Sequence, residues 1–116
     1  MDKQPAVYIL ASQRNGTIYT GVTSDLVLRV WQHREHLVAG FTKQYGLTML
    51  VWYELHGSMI EAIAREKRIK KLNRAWKNEL IEDANLYWSD LWSNITGDVK
   101  VTGFPRSRER RSANFV

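Results

Sequence analysis

Tyr8, Tyr19, Arg29, His33, Glu66 and Asn78 follow one another along the chain. As a set they are the side chains that hydrolysis of a phosphodiester asks for. That reaction needs a water aimed in line, a base for its proton, positive charge for the phosphoryl oxygens and help for the leaving oxygen. None of the six speaks alone. A tyrosine in a strand is ordinarily a half-buried aromatic. Arg29 could pair with Glu35 or Asp25 in a weak surface bridge. A histidine on an apolar stripe is more often a hydrogen-bonded core residue than a base. Glu66 stands four before Lys70, the favourable order for a helical ion pair. Asn78 is equally a polar residue of a helix surface.

The elements that position these groups centre on the stretch from Thr17 to Leu37, where a strand hands over to a helix. Ala6 to Ser12 alternates, with Val7, Ile9 and Ala11 on one side and Ala6, Tyr8 and Leu10 on the other, and reads as a first strand. Asn15-Gly16 signals a hairpin turn of type I′, and Thr17 to Val22 is the returning strand. With a two-residue loop, Tyr8 and Tyr19 emerge on the same face but offset along the hairpin; a longer loop brings them closer. Ser24 or Asp25 caps a helix whose stripe is Leu26, Val30, His33 and Leu37, with Arg29 at its border.

Gly40, Thr42 and Gly46 mark a loop, and Thr48 to His56 is an apolar strand expected to be the most buried. Ser58 with Glu61 forms a capping-box pattern for a second helix. Its stripe is Ala62, Glu66, Ile69 and Leu72, so a carboxylate occupies an apolar slot and needs a compensating cation. Arg74 to about Leu86 reads as a third helix with Trp76, Leu80 and Ile81 facing the core. Trp88 and Trp92 then form an aromatic patch offered to a protein partner or a second copy.

The 116 residues, 44% of them hydrophobic, suffice for one domain with a real core. Absence of cysteine excludes disulfides and zinc-thiolate sites. No apolar run reaches membrane-spanning length and the first residues do not lead into a secretory signal, so the expectation is a cytoplasmic protein with no membrane association. The net charge of +5 is concentrated. Between Arg65 and Lys77, seven basic residues face Glu66 alone, and a second basic tract runs from Lys100 to the end. Such tracts suit a phosphate backbone, and a solvated surface is the alternative.

Taken in order, these residues resemble the GIY-YIG nuclease superfamily, in particular its small stand-alone bacterial members. The first signature tripeptide appears as Ala6-Val7-Tyr8 and the second as Tyr19-Thr20-Gly21. The family's arginine falls on Arg29, its aromatic or imidazole position on His33, its metal-binding glutamate on Glu66 within a helix reading Glu61 to Lys71, and its asparagine on Asn78. One departure is plain. Relatives of the excision-repair incision enzyme place a lysine just after the second signature, where this chain has Val22-Thr23; Lys43, Lys67 and Lys70 are the nearby substitutes.

The resemblance implies an α/β (α+β) fold, a three-stranded antiparallel sheet flanked by helices. Residues 1–84 would form the nuclease-like domain, and 85–116 an aromatic then basic extension, partly flexible. It further implies a metal-dependent DNA endonuclease, an activity associated with DNA repair, and in a domain this small any selectivity is expected to be for DNA structure more than sequence. Glu66 would hold a single Mg²⁺ or Mn²⁺. Tyr19 or His33 would take the proton from water, Tyr8 would orient water or phosphate, Arg29 would stabilise the developing charge, and Asn78 would support the phosphate or the glutamate. Lys43, Lys67, Arg68, Lys70, Lys71, Arg74 and Lys77 would hold the DNA backbone. The rival is a non-catalytic nucleic-acid-binding protein on the same scaffold.

Overall fold

The computed structural model describes residues 4–97. In chain order the elements are β1 (Ala6–Ala11), β2 (Ile18–Thr23), α1 (Leu26–Arg34), α2 (Phe41–Tyr45), β3 (Met49–Leu55), α3 (Met59–Lys70), α4 (Arg74–Ala84) and α5 (Trp92–Thr96). The strands form one antiparallel sheet in the order β2-β1-β3, flanked by the helices. This is the fold class that the sequence led us to expect.

β1 is the central strand and every one of its residues is buried. That corrects the expectation for β3, which lies at an edge and opens to solvent from Tyr53 to Leu55. A continuous apolar run does not decide which strand is central. A strand apolar on both alternating faces, as β1 is, must be covered on both sides. On one face Val7, Ile9 and Ala11 pack with Val51, Ala62, Ile69, Ile81 and Trp88; on the other Ala6, Tyr8 and Leu10 pack with Leu26, Val30, Leu47 and Leu50.

The hairpin closes through four residues, not two. Ser12 N donates to Thr17 O at 3.0 Å and Gly16 N to Gln13 O at 2.9 Å. Asn15 takes the left-handed conformation at φ 60°, whereas Gly16 serves for close approach: a Cβ there would collide with Ser12 Oγ and lie 3.1 Å from Gln13 O. The longer loop shifts the register so that Tyr8 pairs with Gly21 and Leu10 with Tyr19. Both tyrosines therefore sit diagonally on one face.

Helices α1, α3 and α4 each start from a side-chain cap. Asp25 accepts from Leu28 N at 3.2 Å, Ser58 from Glu61 N at 3.2 Å and Asn73 from Trp76 N at 2.9 Å. The stripe of α1 ends with the helix, and Leu37 beyond it is 62% exposed. Leu72 likewise lies past the end of α3 and is open to solvent. Trp76, expected to face the core, is 60% exposed. Burial of Ile81 sets the phase of α4, and a residue five positions earlier lies about 140° around the axis.

The segment after α4 returns to the sheet. Asn85 Nδ2 donates to Val51 O at 2.9 Å and to Ser89 O at 2.8 Å, and Leu91 N donates to Leu50 O at 2.7 Å. Trp88, expected to offer a docking surface, is 1% exposed; its ring fills the core and its indole N–H donates to Glu82 at 2.8 Å. Trp92 is half-buried, with the Arg34 guanidinium 4.9 Å from its ring centroid. The basic tract from Lys100 lies outside the described residues. Among the described residues no helix is long and apolar enough to cross a membrane.

Candidate active site

Three aromatic rings meet where the α1 face covers the hairpin. Tyr8 and Tyr19 have ring centroids 6.3 Å apart, and the His33 ring lies 5.8 Å from the first and 5.9 Å from the second. They can crowd because the residue opposite Tyr8 is Gly21. A Cβ on Gly21 would stand 2.5 Å from Tyr8 Cζ and Oη and 2.9 Å from Tyr19 Cε2. The glycine of the second signature thus makes room for the phenol of the first across the sheet, a role visible only once the strands are paired.

His33 is 3% exposed and both of its ring nitrogens face hydroxyls. Nε2 is 3.0 Å from Tyr8 Oη, and Nδ1 is 3.0 Å from Thr42 Oγ1. A neutral imidazole donates from one nitrogen and accepts at the other, so a Tyr8–His33–Thr42 chain satisfies all three side chains. Burial, with the Arg29 charge second, lowers the His33 pKa from 6.5 to about 4. At neutral pH the ring is uncharged. Burial first, and the neighbouring Tyr19 next, raise the Tyr8 pKa from 10.0 to about 12; Arg29, close enough to hydrogen-bond the phenol, pulls the other way. Tyr8 is therefore a phenol and not a phenolate at neutral pH.

Arg29 lies one turn before His33 on α1, half-buried, with Nη1 donating to Gln32 Oε1 at 3.2 Å. Glu66 comes from α3, on the same stripe as buried Ala62 and Ile69, and is 7% exposed. Its charge is felt at the Tyr8 hydroxyl, and it is the weakest of the influences there. The compensating cation that the sequence demanded is Lys70, whose Nζ lies 2.5 Å from Glu66 Oε2. Five of the six candidates are thereby linked, Tyr8, Tyr19 and His33 by ring contact and Arg29 and Glu66 by their charge at Tyr8. Asn78 instead accepts from Arg74 Nε at 2.7 Å, and Arg74 in turn donates to Gly16 O at 2.6 Å at the hairpin turn.

Thr42 was missed as a site residue because it sits in a stretch that reads as a loop. The structure makes it the buried residue of α2. The only signal available was a hydroxyl residue between two glycines, Gly40 and Gly46. In the basic tract, Lys67, Arg68, Lys70, Lys71 and Arg74 are exposed and Lys77 is half-buried. Arg65 is spent on Glu54, with Nε to Oε1 at 2.9 Å. Lys43 is exposed on α2. As to a metal, no three His, Asp or Glu side chains gather among the described residues, so Glu66 is the carboxylate to consider.

A sheet of this order with paired tyrosines, an arginine and a glutamate converging on it defines a class. Residues 4–79 match the GIY-YIG catalytic domain, and the chain belongs to the GIY-YIG family. It is similar to small proteins called UPF0213: one from Oceanobacillus iheyensis, 37% identical over 71% of this chain and 94% of the relative; and one from Clostridium perfringens, 36% identical over 69% and 85%. A UPF0213 protein from Bacillus halodurans, solved by solution NMR, is 29% identical, covers 78% of this chain and 95% of its own, and superposes with a TM-score of 0.49.

Proposed function

We propose that the protein is a divalent-metal-dependent endonuclease that hydrolyses DNA phosphodiester bonds and selects DNA by structure more than by sequence. The observation that carries this reading is the convergence of Tyr8, Tyr19, Arg29, His33 and Glu66, from two strands and two helices, in a chain whose residues 4–79 match a catalytic domain. Glu66 fits a hard cation: it is a carboxylate that already faces an ammonium, and Mg²⁺ takes few protein oxygens beside waters and substrate phosphate. When bound, such an ion would lower the barrier by neutralising charge on the phosphate.

The residues divide the remaining work. Tyr19, the more open phenol, faces the attacking water. Tyr8 stays protonated and donates a hydrogen bond, and His33, neutral and held at both nitrogens, fixes the direction of that donor. This gives His33 a positioning role in place of general base. Arg29 meets the phosphoryl charge with a planar fork that Lys could not match. Lys67, Arg68, Lys70, Lys71, Arg74 and Lys77 follow the backbone, with Asn78 fixing Arg74.

Incubation with nicked, branched and linear DNA, with and without Mg²⁺ or Mn²⁺, tests the proposal. Cleavage is expected only with the metal, and Glu66→Ala should lower it by a factor on the order of a hundred or more. Absence of product on every DNA, or Glu66→Ala cutting as well as the native chain, refutes it. Salt-sensitive binding without product would leave a binding protein on a nuclease scaffold.

A further inference from the structure

α2 buries one side and exposes another. Inward, Thr42 is 5% exposed and hydrogen-bonds to His33, and Leu47 just beyond the helix is fully buried, its N–H donating to Thr42 O at 2.9 Å. Outward, Phe41 and Tyr45 stand one turn apart, 47% and 50% exposed, with ring centroids 4.8 Å from each other and planes inclined at 48°. Lys43 is exposed on the same short helix. The left-handed Gly46 at φ 65° then turns the chain back towards the buried Leu47.

An exposed aromatic pair would be unremarkable at random on the surface. This one is tied through a single hydroxyl to the imidazole that holds Tyr8. Its cationic neighbour, on a chain of net charge +5, favours a polyanion over an apolar or basic partner. A ligand that offers flat rings and phosphates together is a nucleic acid. In a duplex the base faces already stack on each other, so only an unpaired base has a face to give.

We propose that Phe41 and Tyr45 form a stacking site for an unpaired nucleobase, with the charge of Lys43 on the same helix drawing the strand's phosphates. The inference rests on the DNA reading above and deepens it by naming what the protein selects: DNA with unpaired bases beside the bond to be cut. Because α2 is pinned to His33, a base held there sets the position of the neighbouring phosphodiester relative to Tyr8.

The test is binding without divalent metal, by fluorescence anisotropy, on a blunt duplex, a duplex with a single-stranded flap and a single strand, using 2-aminopurine in the flap as a stacking probe. Phe41→Ala with Tyr45→Ala should weaken the flap and single strand roughly tenfold or more, and lose the 2-aminopurine quench, while the duplex changes little. Phe41→Leu with Tyr45→Leu keeps apolar volume but no π face and should lose the same affinity; Tyr45→Phe should retain it. Equal weakening on all three DNAs overturns the proposal, as does no change on any. A shift in sedimentation with DNA affinity intact overturns it too, and assigns the rings to a second copy. Selective binding without cleavage in metal would refute the nuclease reading and leave the stacking site standing.

Discussion

The two faces of β1 make a direct comparison, because one strand supplies both. Beneath Val7, Ile9 and Ala11 lies a dry layer closed by Ile69, Ile81 and Trp88. Above Ala6, Tyr8 and Leu10 the layer is apolar at its base but carries the Tyr8 hydroxyl, His33 and Thr42 in a line. The apolar side chains of the first face contribute by leaving water. The second buries polar atoms, which it can do only because each finds a partner. The dry layer and the Tyr8–His33–Thr42 chain thus lie on opposite sides of one strand, and substitutions at the two should act differently.

The largest effect is expected on the closed face. Trp88→Ala should cost about 3–5 kcal/mol, measured by urea denaturation, since a fully buried ring leaves a cavity and Glu82 loses its donor. A near-neutral result would mean that the segment after α4 only rests on the sheet.

Acid should act on the other face. Unfolded His33 takes up a proton near pH 6.5 and the folded residue only near 4, so between these values the unfolded chain binds more protons and stability falls as pH falls. His33 alone should cost about 2 kcal/mol on going from pH 7 to pH 5, a loss absent from His33→Gln. Equal pH dependence of the native chain and that variant would show that the ring is not held neutral by the fold.

The smallest effect sharpens the site itself. Lys70 is half-exposed and bonded to the carboxylate that would hold the metal. Lys70→Ala should therefore tighten Mn²⁺ binding a few-fold, read by electron paramagnetic resonance of free Mn²⁺, with no change in urea stability beyond that of a weak ion pair. Weaker Mn²⁺ binding would mean that Lys70 helps to hold the site open.

Much of this was legible in residue order. Ser58 and Glu61 announced the start of α3, the alternation from Ala6 announced β1 as a strand, and the stripes of α1 and α3 placed His33 and Glu66 among apolar neighbours. Local periodicity and capping depend on residues within a turn or two, so the chain declares them directly.

Other features arose only on folding. The four-residue loop, and with it the register that sets Gly21 under Tyr8, depends on how the turn closes. Burial of Trp88, exposure of Trp76 and the capture of His33 by Thr42 depend on contacts between elements. Spacing along a chain fixes which side of its own element a residue occupies, and that much the sequence determined. Which residue it then meets across a gap is decided by packing the elements together, because the partners of a buried group come from distant parts of the chain.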